Sequence, residues 1–331
     1  MGVKIMSKSS ISTNAKKVNS FLISRLHGRP TELYKAASHI MVHGGKRLRP
    51  YLVIKSCEIL GGTVKQALPA AASIEMIHNF TLVHDDIMDN DDMRHGVPTV
   101  HTRFGIPIAI LAGDVLFSKA FETISSDSHI PKKQLHALVS SLAKACVNVC
   151  EGQLLDIQMA QNQKMPSESQ YIKMVEKKTA TLFETSCTLG ALSANSNRKN
   201  IANLSSFGKN LGIAFQIVDD LIGVLGDSKI TKKPVGNDLR EGKKSLPILI
   251  AIKSAKSTKR EIILNAFGNS EATKNDIKKA VKVMQSLGIE KTIRKKAIYY
   301  SARAQSSLSS YVGPSKKELI SLLNFVVKRS L

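Results

Sequence analysis

Apolar residues recur every three or four positions over long stretches of this chain, at 70–88, 108–124, 135–160, 171–192 and 204–225. That spacing lines one face of a helix, and where the flanks are apolar too it predicts a buried helix. Runs of β-branched residues with period two are scarce. The pattern therefore predicts an all-α protein with about ten or more helices of ordinary length. Breaks fall at His43-Gly44-Gly45, at Gly96-Val97-Pro98 and at Gly105-Ile106-Pro107, because proline does not fit a helix interior. The longest irregular stretch, 226–247, carries many charges, and a loop of that length inside a helical domain is usually functional. A charged helix–loop–helix is predicted at 254–278. No repeat, low-complexity block or composition shift divides the chain. Residues 1–331 read as one domain, with 1–17 as a basic, flexible N-terminal extension.

Composition narrows the class. A hydrophobic fraction of 43% over 331 residues is enough for a sizeable core. No apolar run reaches the length of a membrane span. The first residues lack the apolar stretch of a signal peptide, and Met6 breaks the myristoylation pattern that Gly2 would begin. Cys57, Cys146, Cys150 and Cys187 have no Cys/His partners at zinc spacing. They read as small apolar core residues of a reduced, cytoplasmic protein. The net charge of +22 admits nucleic acid, an anionic membrane surface or polyanionic small substrates. The cations are dispersed, Trp is absent and aromatics make up only 5%, which argues against nucleic acid. Most of the charge reads as a solvated surface, with weak association with an anionic membrane left open.

Two aspartate clusters change the picture. Leu82-Val83-His84-Asp85-Asp86-Ile87-Met88-Asp89 follows an apolar run that reads as buried helix. Asp85 and Asp89, four apart, share one helical face, where like charges repel unless a cation neutralises them. Mg²⁺ suits such a pair, since it takes carboxylate oxygen and shares its remaining positions with water and phosphate. An acidic helix end facing solvent is the bland alternative, but it opposes the helix dipole. Phe215-Gln216-Ile217-Val218-Asp219-Asp220 ends a second apolar run, and facing the first pair it would clamp cations. Basic groups supply the complement. Lys46, Arg47 and Arg49 lie on a loop and helix start, Arg94 and His95 follow the first cluster, and Lys178-Thr179 sits mid-helix. Lys233, Lys243 and Lys244 occupy the charged loop. Each alone is more often a surface residue; together with paired carboxylates they imply a substrate with several phosphate groups.

In this order the motifs resemble the archaeal-type trans-isoprenyl diphosphate synthases, close to geranylgeranyl and farnesyl/geranylgeranyl diphosphate synthases. They are Gly44-Gly45-Lys46-Arg47-Leu48-Arg49-Pro50, the Asp85 cluster, Gly152-Gln153-Leu154-Leu155-Asp156, Lys178-Thr179, the Asp219 cluster, and Gly236-Asn237-Asp238-Leu239-Arg240-Glu241-Gly242-Lys243. The likeness runs from about residue 34 to 250, and more weakly to the C-terminus. It implies an isoprenoid-synthase bundle around a central cavity and a homodimer. It implies that Asp85 and Asp89, supported by Asp86, bind two Mg²⁺ ions and that Asp219 binds a third, with Mn²⁺ as a substitute. Arg94, Lys178, Thr179, Gln216, Lys233 and Lys243 would hold the allylic diphosphate. Lys46, Arg49, His78 and His95 would hold isopentenyl diphosphate. Two departures stand out: Gly223 replaces the third aspartate of the second motif, and His95 stands where the family usually has Arg.

The implied reaction is ionisation of the allylic C–O bond, attack by the isopentenyl double bond, and loss of a proton. Product length is expected to depend on Phe80, Thr81 and Phe117. Phe80 lies about 7.5 Å up the helix from Asp85 and would floor the tail cavity beside Phe117 or Phe121, while the small Thr81 leaves room. That pattern resembles members making the C20 product; plain core packing explains Phe80 equally well. Farnesyl or longer polyprenyl synthases are the nearest alternatives. A class I terpene cyclase would not need Lys46, Arg49 and His78, and a non-catalytic subunit would tend to lose the first-motif aspartates. A basic nucleic-acid or membrane module rests on charge alone.

Overall fold

The computed structural model describes residues 8–127, 129–130, 132–226 and 235–328. Within them the chain is all-α, and the strands are confined to one two-residue hairpin. It folds as two compact units, each assembled from separate stretches. The first takes the residues up to Cys146, then Leu182–Gly208 and Ser310–Leu319. The second takes Val147–Thr181, Lys209–Ser309 and the residues from Ile320. No composition shift marks these borders, because neighbouring stretches of chain share the same amphipathic pattern.

The first unit begins with α1 (Lys8–Arg25), α2 (Thr31–His43), α3 (Leu48–Glu58) and α4 (Val64–Met88). Residues 8–17, expected as a flexible extension, instead form the start of α1, whose Val18 and Leu22 are buried. Thr63 opens α4 with a capping box: its hydroxyl accepts from the Gln66 amide, and the Gln66 side chain accepts from the Thr63 amide. Every residue from Ala70 to Ile77 is buried, so this stretch of α4 has neighbours on all sides. They are α3 and α6 (Ile106–Ser126), and the Ser73 hydroxyl donates to the Ala120 carbonyl at 2.7 Å. Each fully buried Ile or Leu there, such as Ile74 and Leu116, contributes about 1.5–3 kcal/mol. Between α4 and α6 lie the hairpin, β1 (Met93–Arg94) and β2 (Val97–Pro98), and the short α5 (Val100–Phe104). The unit is completed by α9 (Thr181–Ser193) and by residues 310–319, where Glu318 pairs with Lys55 at 2.7 Å.

The second unit holds the latter part of α7 (Lys132–Gln161), then α8 (Glu168–Val175), which runs without interruption into a π-helical turn, Glu176–Ala180. It also holds α10 (Arg198–Leu225) from Lys209 on, the one-turn α11 (Asn237–Arg240), α12 (Leu246–Ser254), α13 (Ser257–Ala266), α14 (Lys274–Ser286) and α15 (Ile289–Ser307). Tyr171, Ile217, Leu239, Ile252, Met284 and Ile293 form its core. The last helix, α16, spans Pro314–Val327. Three of the four cysteines are buried as expected, but Cys150 is exposed on α7, beside the exposed Val147 and Leu154. The second aspartate pair does not end its helix: α10 continues past Asp220 to Leu225, because Leu221, Val224 and Leu225 remain buried in the core. Among the described residues no helix is long and apolar enough to cross a membrane.

Candidate active site

In the first unit, Asp85 and Asp89 lie one turn apart on a single face of α4, and the Asp89 amide closes the helix on the Asp85 carbonyl at 2.8 Å. Asp85 is half-buried, Asp89 exposed and Asp86 fully buried. Burial pushes the Asp86 carboxyl up, and Arg94 opposes that shift. Arg94 donates to Asp86 at 2.5 Å and to Asp91 at 3.3 Å. It reaches them from the hairpin, whose turn residues His95 and Gly96 have φ of 54° and 82°, the left-handed pair that a two-residue hairpin turn requires. The second Asp86 oxygen is buried with no hydrogen-bond partner among the described residues.

The basic segment before α3 belongs to the same unit. Its buried member is Arg47, which the sequence grouped with Lys46 and Arg49 but to which it gave no ligand. Arg47 donates to Asn19 at 2.7 Å, to the Gly44 carbonyl at 2.7 Å, to the Met41 carbonyl and to Glu75 at 3.1 Å. It thereby satisfies carbonyls at the end of α2 and fixes the backbone that carries Lys46 and Arg49. Glu75 stands inside the apolar run of α4, and a buried carboxylate needs a partner. That was the signal available in the sequence. Arg49 stacks over the Phe183 ring at 4.8 Å. Burial pushes its guanidinium down to about 10, so it stays charged at neutral pH. Burial, with Arg49, Arg94 and Arg47 nearby, holds the His78 imidazole well below its ordinary value, and burial with Arg94 and Arg47 lowers His95. The His95 ring lies against Gly44. The structure thus brings Arg49, His78, His95 and Arg94 together around this segment, with Lys46 exposed on it.

The second unit carries the other expected residues. Gly152 lets α7 approach the π turn so closely that a Cβ there would sit 2.2 Å from the Lys178 nitrogen. One turn on, Asp156 accepts from Lys178 at 2.5 Å. Thr179 donates to the Gln216 side-chain oxygen at 2.8 Å, Gln216 donates to Asp220 at 2.7 Å, and Tyr171 donates to the other Asp220 oxygen at 2.7 Å. Lys243 stands 3.8 Å from Asp220 and 3.7 Å from Asp238; Asp220 above all raises its pKa. Asp156, Lys178, Thr179, Gln216, Asp220 and Lys243 line one cavity. Asp219 is half-buried next to them on α10. Lys233 lies outside the described residues.

The two departures acquire a physical reading. A Cβ at Gly223 would lie 2.3 Å from the Asp238 carboxylate, so Asp238 fills the space where the third aspartate of the motif would start. For the metal, the donors are carboxylate oxygens. Among the described residues no group of three metal-type side chains forms a complete cage. Paired carboxylates without a cage suit Mg²⁺, which completes its shell with water and phosphate oxygen. On α4 the Phe80 ring meets Phe117 at 5.3 Å, Phe117 meets Phe121 at 5.1 Å, and the Thr81 hydroxyl turns back to the His78 carbonyl at 2.8 Å.

An all-α chain that twice sets helix-borne aspartates beside cations has the architecture of the enzymes that transfer prenyl groups from diphosphates. Comparison with known proteins makes this specific. The polyprenyl synthetase family model matches residues 30–284, and the chain belongs to that family; it is a transferase of prenyl groups. It is 40% identical over 321 residues to geranylgeranyl pyrophosphate synthase of Geoglobus acetivorans, covering 96% of this chain and 98% of the relative. It is 37% identical over 319 residues to geranylfarnesyl diphosphate synthase of Aeropyrum pernix, covering 94% and 99%. The crystal structure of geranylgeranyl pyrophosphate synthetase from Pyrococcus horikoshii superimposes with a TM-score of 0.91 at 36% identity, covering 97% of this chain and 98% of that one.

Proposed function

We propose that the protein condenses isopentenyl diphosphate with allylic diphosphates of C5 to C15, in trans, to make geranylgeranyl diphosphate. The observation that carries this reading is on α4, where Asp85 sits about 7.5 Å along the helix from a Phe80 ring held against Phe117, with Asp89 one turn further on. One helix then carries both a metal-binding wall and a stop for the growing tail. Several relatives bear the name geranylgeranyl diphosphate synthase, which supports the C20 product. The Aeropyrum relative makes product length the point to test.

In this reading the allylic diphosphate is held by Arg94, Lys178, Lys243 and Lys233, with Thr179 and Gln216 beside the reacting carbon. Isopentenyl diphosphate is held by Lys46, Arg49, His78 and His95. Asp85, Asp89 and Asp219 would hold Mg²⁺, three ions in this reading, and the bound metal would supply neutralisation for charge building on the departing diphosphate. The pairs Lys178–Asp156 and Arg94–Asp86 keep the cations extended and oriented, so little side-chain entropy is lost when they engage a diphosphate. The C1–O bond breaks, the isopentenyl double bond forms the new bond to C1, and a proton leaves to the released diphosphate. Apolar walls keep water from the cation.

A homodimer belongs to the same proposal. Exposed Ile106 and Ile110 on α6, and Val147 with Leu154 on α7, form apolar stripes at helical spacing that a second copy would cover. The compartment proposed is the cytoplasm, in keeping with four free cysteines. The surface of α13 to α15 is strongly basic: residues 253–303 hold thirteen Lys or Arg against four Asp or Glu. We extend the reading to weak, salt-sensitive association of this surface with anionic lipid.

The test is to incubate the protein with isopentenyl diphosphate, Mg²⁺ and C5, C10 or C15 starters and to size the dephosphorylated products. C20 from all three is expected. No elongation with any starter would remove the prenyl-transfer reading, whereas C15 or C25 as the end product would remove only the assignment of length.

A further inference from the structure

The cavity side chains of the second unit are joined to the core by a chain of hydrogen bonds that begins at Tyr171. Tyr171 has no exposed surface and sits among Ile217, Leu221 and the other apolar residues of the unit's core. Its hydroxyl is the one polar point on an otherwise apolar ring, and it donates to one oxygen of Asp220 at 2.7 Å. The other Asp220 oxygen accepts from the Gln216 side-chain nitrogen at 2.7 Å. Asp220 is itself buried. Each of its oxygens is thus held by a different element, one by α8 and one by its own helix α10.

The direction of every bond in this chain follows from chemistry. An ionised carboxylate only accepts. Gln216 must therefore turn its nitrogen to Asp220 and its oxygen away. That oxygen accepts from the Thr179 hydroxyl at 2.8 Å. With its proton committed to Gln216, Thr179 presents lone pairs to the rest of its surroundings. Thr179, Gln216, Asp220 and Tyr171 all line the same cavity, together with Lys178 and Lys243. Linked bonds of this kind polarise one another in a low-dielectric interior.

We infer that Tyr171 is a positioning residue for prenyl transfer: by pinning Asp220 it fixes the Gln216 amide and so the sense of the Thr179 hydroxyl, whose oxygen lone pairs then face the developing allylic cation. This rests on the reaction proposed above. The phenol touches neither metal nor diphosphate in that scheme, so its effect falls on the rate of ionisation and not on binding. Without the hydroxyl, one Asp220 oxygen loses its donor, the carboxylate is free to turn, and the Gln216 amide can flip. A flipped amide turns its nitrogen to Thr179, which must then accept and aim its own proton elsewhere. A proton aimed at the cation raises the barrier.

The experiment is a double-mutant cycle on the full-length protein with saturating substrates and Mg²⁺. Tyr171→Phe keeps the ring and removes the donor. It is expected to lower kcat about tenfold, with KM for isopentenyl diphosphate unchanged. In a Thr179→Val background, where no hydroxyl remains to orient, the same substitution is expected to cost less than twofold. If Tyr171→Phe does not fold by circular dichroism, Asp220→Asn takes its place. An asparagine has one acceptor oxygen for two donors, and it should show the same non-additivity with Thr179→Val. Unchanged kcat in Tyr171→Phe, or losses that multiply across the cycle, overturn the assignment. The wild-type protein run beside them separates the two levels: if it elongates no starter, the failure belongs to the prenyl-transfer reading and not to Tyr171.

Discussion

At the scale of single residues, His95 gives the most direct test. Burial and the neighbouring Arg94 and Arg47 hold its imidazole below the ordinary 6.5, so it is neutral at pH 7. A ring whose folded pKa is lowered resists protonation, so acidification through about 6.5 costs stability, and the folded site gains charge only at lower pH still. KM for isopentenyl diphosphate is expected to fall only once the pH drops far enough below 6.5 to protonate the ring, and not between about pH 7.5 and 6.5. His95→Arg should lower KM at pH 7.5 and flatten the dependence; equal profiles for both proteins would count against a role for residue 95 in binding. Gly223→Asp looks like a repair of the second motif, yet its Cβ would start 2.3 Å from the Asp238 carboxylate. Reduced stability and activity are expected, measurable by thermal melting and turnover. Phe80→Ser, by removing the ring that meets Phe117, should shift the product beyond C20; an unchanged product distribution would refute the floor. The aspartates were legible in sequence because like charges at helical spacing after an apolar run demand a cation. The pairings of Arg47 with Glu75, of Asp238 with the space at Gly223 and of Tyr171 with Asp220 were not, since the partners are distant in sequence.

Among the elements, the long helices were legible because apolar periodicity over several turns has few rivals, as α4, α6, α7 and α10 show. The π turn at Glu176–Ala180 was not: α7 packs closely against it at Gly152, a tertiary contact that no local pattern encodes. Gly152→Ala should force the two apart and cost about 1–3 kcal/mol by thermal or denaturant unfolding, with a larger loss of activity because Lys178 and Thr179 move too. A helix cap offers a contrast. Thr63→Ala removes the capping box of α4 some six turns from Asp85, and should cost about 1 kcal/mol while leaving kcat unchanged. A large fall in kcat there would mean that the far end of α4 is coupled to its aspartates.

For the whole molecule, the all-α class was legible from the scarcity of period-two patterns, and the division into two units was not. Borders that cut through α7 and α10 leave no linker to read. The first unit is completed by a short segment, 310–319, in which Glu318 pairs with Lys55 and the Tyr311 hydroxyl donates to Asn200 at 3.0 Å. Truncation after Ser309 should therefore destabilise the unit that carries Asp85, although the deletion lies more than two hundred residues away in sequence, and proteolysis should then cut near α3 first. The same arrangement bears on how the chain is made. A ribosome delivers it from the N-terminus at about 5–20 residues per second, far more slowly than small helical assemblies form. The first aspartate cluster emerges early, but its unit lacks residues 310–319 until more than two hundred further residues have been translated. Final consolidation of that half must wait for residues 310–319, and until they emerge Lys55 and the apolar surface around it are open to chaperones.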